Sequence, residues 1–280
     1  MLGNLTIDDV VLPDGVTYMG TLGGNSIHVA TAIFFNNVAP ITIARKGEDF
    51  PLEALKSFKD AGLSTEFILP IAGPTVRNWV IYEWNGDRTW LYRTLKSRSL
   101  EVSPEPIDIS VQALEGVTVA HIAAMPLGNA ERLVDHLRSV VPEVTIILDT
   151  HEDWINGYEE RLLTLARKVN IFVPSKEEVL DLTKTSNLED AITELGSYKL
   201  ENVVMKAGAQ GAYLIRENDR VHLNALPVAV KDATGAGDAF CGGLAAGVAL
   251  QLPIYDCVAM GIKTASVAIQ SSGSLRLIEK

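Results

Sequence analysis

The segment from Lys231 to Phe240 carries residue types that could bind a phosphate and move a proton. It reads Lys-Asp-Ala-Thr-Gly-Ala-Gly-Asp-Ala-Phe and leads into an apolar, helix-like run. The first N–H groups of a helix lack internal partners and carry partial positive charge, and Gly235 and Gly237 would let an anion approach them. Asp238, beside such a site, could take the proton of a hydroxyl group that attacks phosphorus. The plainer interpretation is that Asp238 only complements the helix dipole.

This segment closely resembles the C-terminal signature of the ribokinase-like (PfkB) sugar and nucleoside kinases. That signature reads Asp-Thr-x-Gly-Ala-Gly-Asp, and this chain departs from it at Ala233, where threonine is usual. The resemblance implies that Asp238 is the catalytic base. It also implies that the same turn forms an anion hole, whose residues are Gly235, Ala236 and Gly237.

Composition is consistent with one globular enzyme domain over residues 1–280, because 47% of the residues are hydrophobic. The formal net charge of -11 argues against nucleic acid or an anionic membrane as a partner. The only cysteines, Cys241 and Cys257, give no disulfide framework. With no signal peptide and no apolar run near the ~20 residues of a membrane span, we expect a cytoplasmic protein.

Short apolar runs alternate with amphipathic segments along most of the chain. The strand-like runs are 117–120, 144–148, 171–173 and 203–205, and the helix-like segments include 130–140, 159–168 and 176–182. This alternation predicts right-handed β-α-β units in an α/β, doubly wound and mostly parallel sheet. The resemblance implies the ribokinase-like version of this fold, with helices flanking the sheet and a small β-sheet lid.

Residues 78–93 interrupt the alternation and predict a β-hairpin. Aromatic and β-branched residues flank Asn85-Gly86, a pair that supplies the positive φ angles of a tight turn. Such an insert can be a simple edge decoration. The resemblance implies instead a lid, formed here by about residues 11–20 and 70–95, which covers the substrate and can support a homodimer.

The resemblance also assigns residues to the acceptor substrate. Gly3-Asn4-Leu5-Thr6-Ile7-Asp8 matches the opening strand of the family, in which the aspartate binds acceptor hydroxyls. A carboxylate suits neighbouring hydroxyls because it accepts two charge-assisted hydrogen bonds. The adjacent Asp9 could bind the acceptor instead, but the spacing from Gly3 favours Asp8.

A glycine pair entering an apolar helix resembles the family's Gly-Gly-x-x-x-Asn segment. This resemblance assigns Gly23, Gly24 and Asn25 to the acceptor site. His28 stands at the position where the family usually has asparagine. His28 could bind a hydroxyl or simply pack within a helix. Arg93, which follows Tyr92, could face an acidic acceptor or form a surface salt bridge.

Nucleotide contacts are expected in the loop that follows the apolar run at 203–205. Lys206, Gly208 and Gly211 resemble the Gly-x-x-Gly loop that lies beside ATP in the family, although any tight turn could use two glycines. Thr234 of the C-terminal signature is expected to contact the nucleotide as well.

Two acidic residues are candidates for cations. Ser175-Lys176-Glu177-Glu178 stands in place of an Asn-x-x-Glu motif that organises Mg²⁺, so Glu178 matches and Ser175 departs; a solvated helix start is the alternative. The resemblance implies that Asp232, with the 270–274 loop, holds a monovalent cation, and it therefore predicts activation by K⁺.

Together these residues predict an ATP- and Mg²⁺-dependent kinase that phosphorylates a hydroxyl group, expected to be primary, on a sugar or sugar-like molecule. No Gly-Lys dipeptide of a P-loop occurs, and Phe240 stands where a dinucleotide fingerprint needs glycine. The departures at Ser175 and His28 keep one alternative open, a ribokinase-fold binding or regulatory protein whose catalysis is reduced or lost.

Overall fold

The computed structural model describes residues 1–84, 88–94, 98–216, 219–273 and 275–278. Its strands are β1 Thr6–Val11, β2 Thr17–Gly23, β3 Ala44–Lys46, β4 Ile68–Pro70, β5 Val76–Tyr82, β6 Arg88–Tyr92, β7 Val119–Ile122, β8 Thr145–Asp149, β9 Ile171–Val173, β10 Val203–Lys206, β11 Ala212–Arg216 and β12 Asp219–Leu223. Its α-helices are α1 Asn25–Phe35, α2 Leu52–Asp60, α3 Arg98–Val102, α4 Val111–Leu114, α5 Leu127–Val140, α6 Glu159–Ala166, α7 Lys176–Thr183, α8 Leu188–Ser197, α9 Ala236–Ala249 and α10 Ile254–Ala268.

The main sheet has the strand order β12-β11-β10-β9-β8-β7. Strands β7 to β10 run parallel, while β11 and β12 are antiparallel additions at one edge. Beyond β7, parallel bridges from Leu2 to Ile122 and to Ile43 extend the sheet toward the β3–β4 pair. The predicted α/β fold is therefore confirmed, and each of the four predicted apolar runs overlaps a strand of the main sheet.

Apolar side chains cover both faces of the main sheet, as short parallel strands require. One core cluster includes Ile146, Leu148 and Phe172, and the other includes Ile147, Val173 and Leu244. Successive residues of one strand thus enter different cores, because strand side chains alternate between faces. The described part of the chain contains no helix long and apolar enough to cross a bilayer.

A second, four-stranded sheet has the order β2-β1-β5-β6 and is called the small sheet below. The predicted hairpin is present as antiparallel β5 and β6, in which Tyr82 pairs with Arg88. Its predicted turn at Asn85-Gly86 lies outside the described residues. Strand β1 also belongs to this sheet, where it pairs parallel with β5, so the small sheet begins before residue 11.

Helix α9 is held between α1 and α10 by glycines that allow close packing. A Cβ on residue 242 would lie 2.4 Å from the Cβ of Ala32, and one on residue 243 would lie 2.5 Å from Oγ1 of Thr264. Only glycine fits such approaches without displacing the neighbouring helix. These contacts fix α9, and with it the position of the turn at residues 232–238.

Candidate active site

A cleft of about 1110 Å³ separates the small sheet from the carboxyl ends of the main-sheet strands. The small sheet contributes Asp8 and Asn78, the end of β8 contributes Asp149, and the start of α9 contributes residues 233–238. In open α/β sheets, ligands bind outside the carboxyl ends of the strands. The candidate residues from both ends of the sequence therefore face a single cavity.

The N-terminus of α9, which carries the two glycines and the last aspartate of the signature, opens into this cleft. Gly235 is the N-cap residue and has a φ of 69°, a left-handed conformation that favours glycine. Asp238 is the third helical residue and lines the cleft. First-turn amides have no carbonyl one turn back to bind. One of them is already partly engaged, because the amide of Ala236 donates to the carbonyl of Ala233 at 3.2 Å.

His28 lies in the first half of α1 and its imidazole packs against Gly235. A Cβ on residue 235 would lie 2.6 Å from Nδ1 of His28. Both residues line the cleft. The structure thus places His28 in the cleft wall, in contact with the turn at the N-terminus of α9.

The loop before α9 is cross-linked through Asp232. Its Oδ1 accepts hydrogen bonds from the amide of Thr234 and the hydroxyl of Tyr82 on β5, each at 2.8 Å. The Tyr82 hydroxyl also contacts Oγ1 of Thr234. A strand of the small sheet therefore touches the loop that carries the signature. The other oxygen of Asp232, Oδ2, faces Nη1 of Arg276 at 3.3 Å.

Asp8 is buried in the cleft wall and is held by its neighbours. It accepts hydrogen bonds from Oγ1 of Thr6 at 2.9 Å and Nδ2 of Asn78 at 3.4 Å. Burial raises the pKa of Asp8 to about 6, against the lowering effect of these bonds. Gly23 gives it room, since a Cβ on residue 23 would lie 2.0 Å from Oδ2 of Asp8.

Asp9 points to the opposite face of the small sheet and has a structural role. Its fully buried carboxylate binds the guanidinium groups of Arg77 and Arg93, at 2.7 Å and 2.5 Å, and accepts from the indole N–H of Trp79. The hydrogen bond from Arg77 is the main reason that the pKa of Asp9 is well below its usual value. Two roles were left open for Arg93, a contact with an acidic acceptor and a salt bridge. The structure shows a salt bridge to Asp9, and the Arg93 guanidinium also lies over the Trp79 ring.

Asn25, also expected to bind the acceptor, uses both ends of its amide to hold the chain. Its Oδ1 accepts from the amide of Asn4 at 2.8 Å, and its Nδ2 donates to the carbonyl of Ala124 at 2.6 Å. Gly24 has a φ of 96°, and a Cβ there would lie 2.3 Å from the carbonyl of Asn4. The glycine pair and Asn25 therefore shape the cleft wall, and Gly24 and Asn25 line it.

Two buried acceptor atoms near Asp8 have no hydrogen-bond partner among the described residues. They are Oδ1 of Asn4 and Oδ1 of Asn78, and both residues line the cleft. An orphaned buried acceptor costs free energy, which a ligand hydroxyl would recover. The sequence analysis assigned neither residue. Alternation along β1 and β5 could have indicated Asn78, because it pairs with Asp8 on one face.

Lys206 places a partly buried positive charge next to α9 and beside Asp149, although Lys206 itself is not among the residues that line the cleft. Its Nζ pairs with Asp149 at 2.5 Å and would lie 3.8 Å from a Cβ on Gly237. Burial alone lowers the pKa of Lys206, but the charge of Asp149 outweighs it, so the pKa is raised and the amine stays protonated. Asp149 was missed by the sequence analysis, although an acid directly after an apolar strand was a usable signal.

Gly208 and Gly211 occupy the turn between β10 and β11. Gly211 has a φ of 94°, and a Cβ there would lie 2.0 Å from the carbonyl of Leu223. Gly208 has a φ of 54° and open space around its Cβ position. The need for glycine at 211 is therefore explained by packing against the chain after β12, and neither residue is among those that line the cleft.

Glu178 and Ser175 form a capping box at the N-terminus of α7. The Ser175 hydroxyl accepts from the amide of Glu178 at 3.1 Å, and Oε2 of Glu178 accepts from the amide of Ser175 at 2.7 Å. Oε2 also accepts from the hydroxyl of Thr150, directly after β8. The serine that departs from the family motif thus has a clear structural role, and it brings Glu178 close to Asp149.

Comparison with known proteins supports one family. A family model described as "pfkB family carbohydrate kinase" matches residues 21–280. A cytidine kinase of Thermococcus kodakarensis is 27% identical over 279 residues, covering 98% of this chain and 96% of the relative.

Solved structures agree with this fold. An Escherichia coli protein in complex with ATP and Mg²⁺ has a TM-score of 0.78 at 20% identity, covering 98% of this chain and 92% of that one. A fructokinase double mutant of Vibrio cholerae, bound to fructose, ADP and a potassium ion, has a TM-score of 0.78 at 21% identity, covering 98% and 94%.

Proposed function

The chain belongs to the pfkB family of carbohydrate kinases, and we propose that it transfers the γ-phosphate of ATP to a hydroxyl group of a sugar or of the sugar ring of a nucleoside. One observation carries the proposal: Asp238 at the start of α9 and Asp8 on the small sheet line the same cleft. The first can act on an attacking hydroxyl, and the second can hold the molecule that bears it.

Asp238 is proposed to accept the proton of the attacking hydroxyl group. Phosphoryl transfer needs positioning and charge stabilisation more than covalent help, and a general base typically contributes about 10²–10⁴-fold. As the third residue of α9, Asp238 lies within the same turn as the proposed anion hole. Proton removal and charge stabilisation would therefore act at adjacent positions.

The anion hole is proposed to consist of the N–H groups at Gly235, Gly237 and Asp238. Ala236 contributes less than the sequence suggests, because its N–H also donates to Ala233. Preorganised donors of this kind are each worth about 3–4 kcal/mol. The protonated amine of Lys206 lies beside Gly237 and would add positive charge on the phosphate side.

The acceptor is proposed to bind through its hydroxyl groups to Asp8, Asn4 and Asn78. All three residues line the cleft, and the side-chain oxygens of Asn4 and Asn78 are buried without a partner among the described residues, so a ligand with several O–H donors would complement this set. Hydrogen bonds from such a ligand would favour the ionised form of Asp8, whose pKa is raised to about 6 by burial.

A nucleoside is the second candidate acceptor beside a free sugar. The cleft also presents an apolar wall after β7, formed by Met125, Pro126 and Leu127, on which a base could lie. The cytidine kinase relative supports this class, whereas the fructokinase structure supports a free sugar. His28 in place of asparagine argues for testing both.

The residues around Asp149 fit Mg²⁺. Burial raises the pKa of Asp149, and the nearby charge of Glu178 adds to this effect, while the hydroxyl of Thr150 donates a hydrogen bond to Glu178. Mg²⁺ prefers oxygen ligands, keeps several waters and uses one or two carboxylates beside the substrate phosphates. When bound with ATP, the ion would neutralise phosphate charge, while Asp149 and Glu178 orient its waters.

The outer face of the small sheet is proposed as a homodimer contact. Trp79 and Leu91 pair across β5 and β6 on this face and are 38% and 47% exposed. Exposed apolar side chains grouped on one sheet face often mark an interface. Sedimentation of the intact protein and of a Leu91→Lys variant would test the contact, and a monomeric parent would contradict it.

An acceptor panel tests the function as a whole. Free sugars, sugar acids, inositols and nucleosides would be supplied with Mg²⁺-ATP, and ADP release would be compared with the Asp238→Asn variant. We expect at least one polyhydroxylated acceptor to stimulate ADP release by the parent alone. If no compound does so while ATP still binds, the alternative of a binding or regulatory protein replaces the kinase.

A further inference from the structure

Arg276 lies directly behind the anion-hole turn, and its side chain is 3% exposed. Its Nη1 donates to the carbonyl oxygens of Ser271 at 2.9 Å and Asp232 at 3.3 Å, and its Nη2 donates to the carbonyl oxygen of Thr234. The carboxylate of Asp232 faces the same guanidinium. Three main-chain oxygens and one carboxylate oxygen thus converge on a single buried positive charge.

This set of oxygens has the chemistry of an alkali-cation site, which hard oxygen ligands would form. It includes the residues from which the sequence predicts K⁺ binding, namely Asp232 and the loop that begins at Gln270. The space between them contains the guanidinium, so the residues do not fit a potassium ion in this chain. The fructokinase relative, in contrast, was solved with potassium bound.

We propose that Arg276 is a positioning residue that replaces a monovalent cation, and that this kinase works independently of K⁺. The inference rests on the proposed function only for its effect on the reaction rate. The occupation of the oxygen site by the guanidinium is a separate claim, which binding measurements can test without any acceptor.

The link to the cleft runs through the peptide bond between Thr234 and Gly235. In a trans peptide the N–H and C=O groups point in opposite directions. Because the carbonyl of Thr234 binds Arg276, the N–H of Gly235 is directed away from the guanidinium, and Gly235 lines the cleft. The guanidinium therefore both fixes and polarises an amide of the proposed anion hole.

The remaining contacts of Asp232 hold the same loop in place. Its Oδ1 accepts from Thr234 and Tyr82 while Oδ2 faces Arg276, so the carboxylate ties the loop to the small sheet and to the C-terminal segment. The guanidinium of Arg276 is part of the chain, so it occupies the site at any potassium concentration, whereas a dissolved ion would occupy the site only above its dissociation constant. The entropic cost of placing the guanidinium is incurred during folding.

Thermal melting is the first test, and it needs no substrate. The parent, Arg276→Ala and Arg276→Lys would be melted in KCl, NaCl and choline chloride at matched ionic strength, with Arg220→Ala as the control for loss of an exposed ion pair to Glu189. We expect the parent and the control to respond equally to the three salts. Arg276→Ala should melt at a lower temperature and gain about 3 °C in KCl over choline chloride, because the vacated oxygens can bind potassium.

Kinetics with a confirmed acceptor is the second test. The parent should show the same kcat in the three salts. Arg276→Ala should lose about tenfold or more in kcat, consistent with a weakened oxyanion donor, and recover part of it with KCl or a low concentration of guanidinium ion. Arg276→Lys should retain more activity than Arg276→Ala.

Two outcomes would overturn the inference. The first is a parent protein whose melting temperature or kcat rises in KCl compared with NaCl and choline. The second is an Arg276→Ala variant that folds, keeps full kcat and ignores potassium. If Arg276→Ala does not fold, the responses of the parent and of Arg276→Lys to the three salts still test the inference. A chain with no kinase activity on any acceptor would overturn the proposed function, while the melting comparison would still test the cation.

Discussion

The imidazole of His28 packs so closely against Gly235 that a Cβ on residue 235 would lie 2.6 Å from its Nδ1. Gly235 also has a φ of 69°. Two independent constraints, one steric and one conformational, therefore require glycine at the N-cap of α9. The contact links His28, which stands where the family has asparagine, to the Gly-Ala-Gly-Asp part of the signature.

Gly235→Ala should lower kcat by about 10²-fold or more, because it disturbs the orientation of the anion-hole amides. It should also destabilise the fold by about 1–2 kcal/mol through its strained φ. Denaturant unfolding and ADP release measure the two effects. The double variant Gly235→Ala with His28→Ala should regain the steric part of the stability loss but keep the conformational part. Additive effects of the two changes would contradict the contact.

Asp238→Asn should lower kcat by about 10²-fold or more and leave the ATP dissociation constant nearly unchanged, because the base acts on the acceptor hydroxyl. Asp256→Asn is the matched control. Asp256 is the third residue of α10 and is exposed, so its loss measures the helix-dipole effect alone. Equal, small effects of the two substitutions would show that Asp238 only complements the dipole.

Asp8→Asn should stabilise the protein at pH 8 by about 1–3 kcal/mol, because it removes a buried carboxylate whose pKa is raised to about 6. The folded protein holds this proton more tightly than the unfolded chain. The parent therefore loses stability relative to the variant as the pH rises from about 4 to 6, and the difference vanishes below that window. The same variant should bind acceptor poorly. Unfolding curves across this pH range, with acceptor titration at pH 8, are the measurements.

Asp9→Asn should have the opposite effect and destabilise the protein by about 2 kcal/mol, because it leaves Arg77 and Arg93 without their carboxylate. The pKa of Asp9 is depressed, so the contribution is present above the unfolded pKa near 4 and is lost as the pH falls toward the folded value. Equal stability changes for Asp8→Asn and Asp9→Asn would contradict the assignment of a destabilising buried carboxylate to one face of the small sheet and a stabilising ion pair to the other.

Glu178→Gln should raise the Mg²⁺ concentration needed for half-maximal rate several-fold, because it removes a negative charge near Asp149 while its amide oxygen can still cap α7. Ser175→Ala is the complementary change. It removes the cap and should cost about 1 kcal/mol of stability with little effect on the Mg²⁺ requirement. Unfolding curves and Mg²⁺ titrations of both variants separate the two roles. A Mg²⁺ requirement that changes only with Ser175→Ala would assign Glu178 to the helix alone.

Local patterns predicted the fold and part of the site well. The β-α alternation located the four parallel strands of the main sheet, β7 to β10, to within about two residues, because short parallel strands are apolar on both faces and easily recognised. The signature was readable because it is continuous in sequence, from Asp232 to Asp238. The position of Asp8 followed from register, and the structure places it in the cleft.

Contacts between distant parts of the chain were beyond the sequence analysis. Asn78 is 70 residues from Asp8, and Arg276 is 44 residues from the carbonyl it binds at Asp232. Neither pairing has a local pattern, because each depends on how the small sheet and the C-terminal segment close against the main sheet. The same reason explains why the sequence left two roles open for Arg93: its distance in sequence gave no indication of its partner, Asp9.

Strand β1 presents Asp8 to the cleft and Asp9 to the outer face within two consecutive positions. Losing one residue between Gly3 and Asp8 would bring Asp9 to the cleft position and Val10 opposite the arginine pair, whereas gaining one would bring Asp8 opposite the arginines and Ile7 to the cleft. The segment between Gly3 and Asp8 should therefore tolerate substitutions far more readily than insertions or deletions.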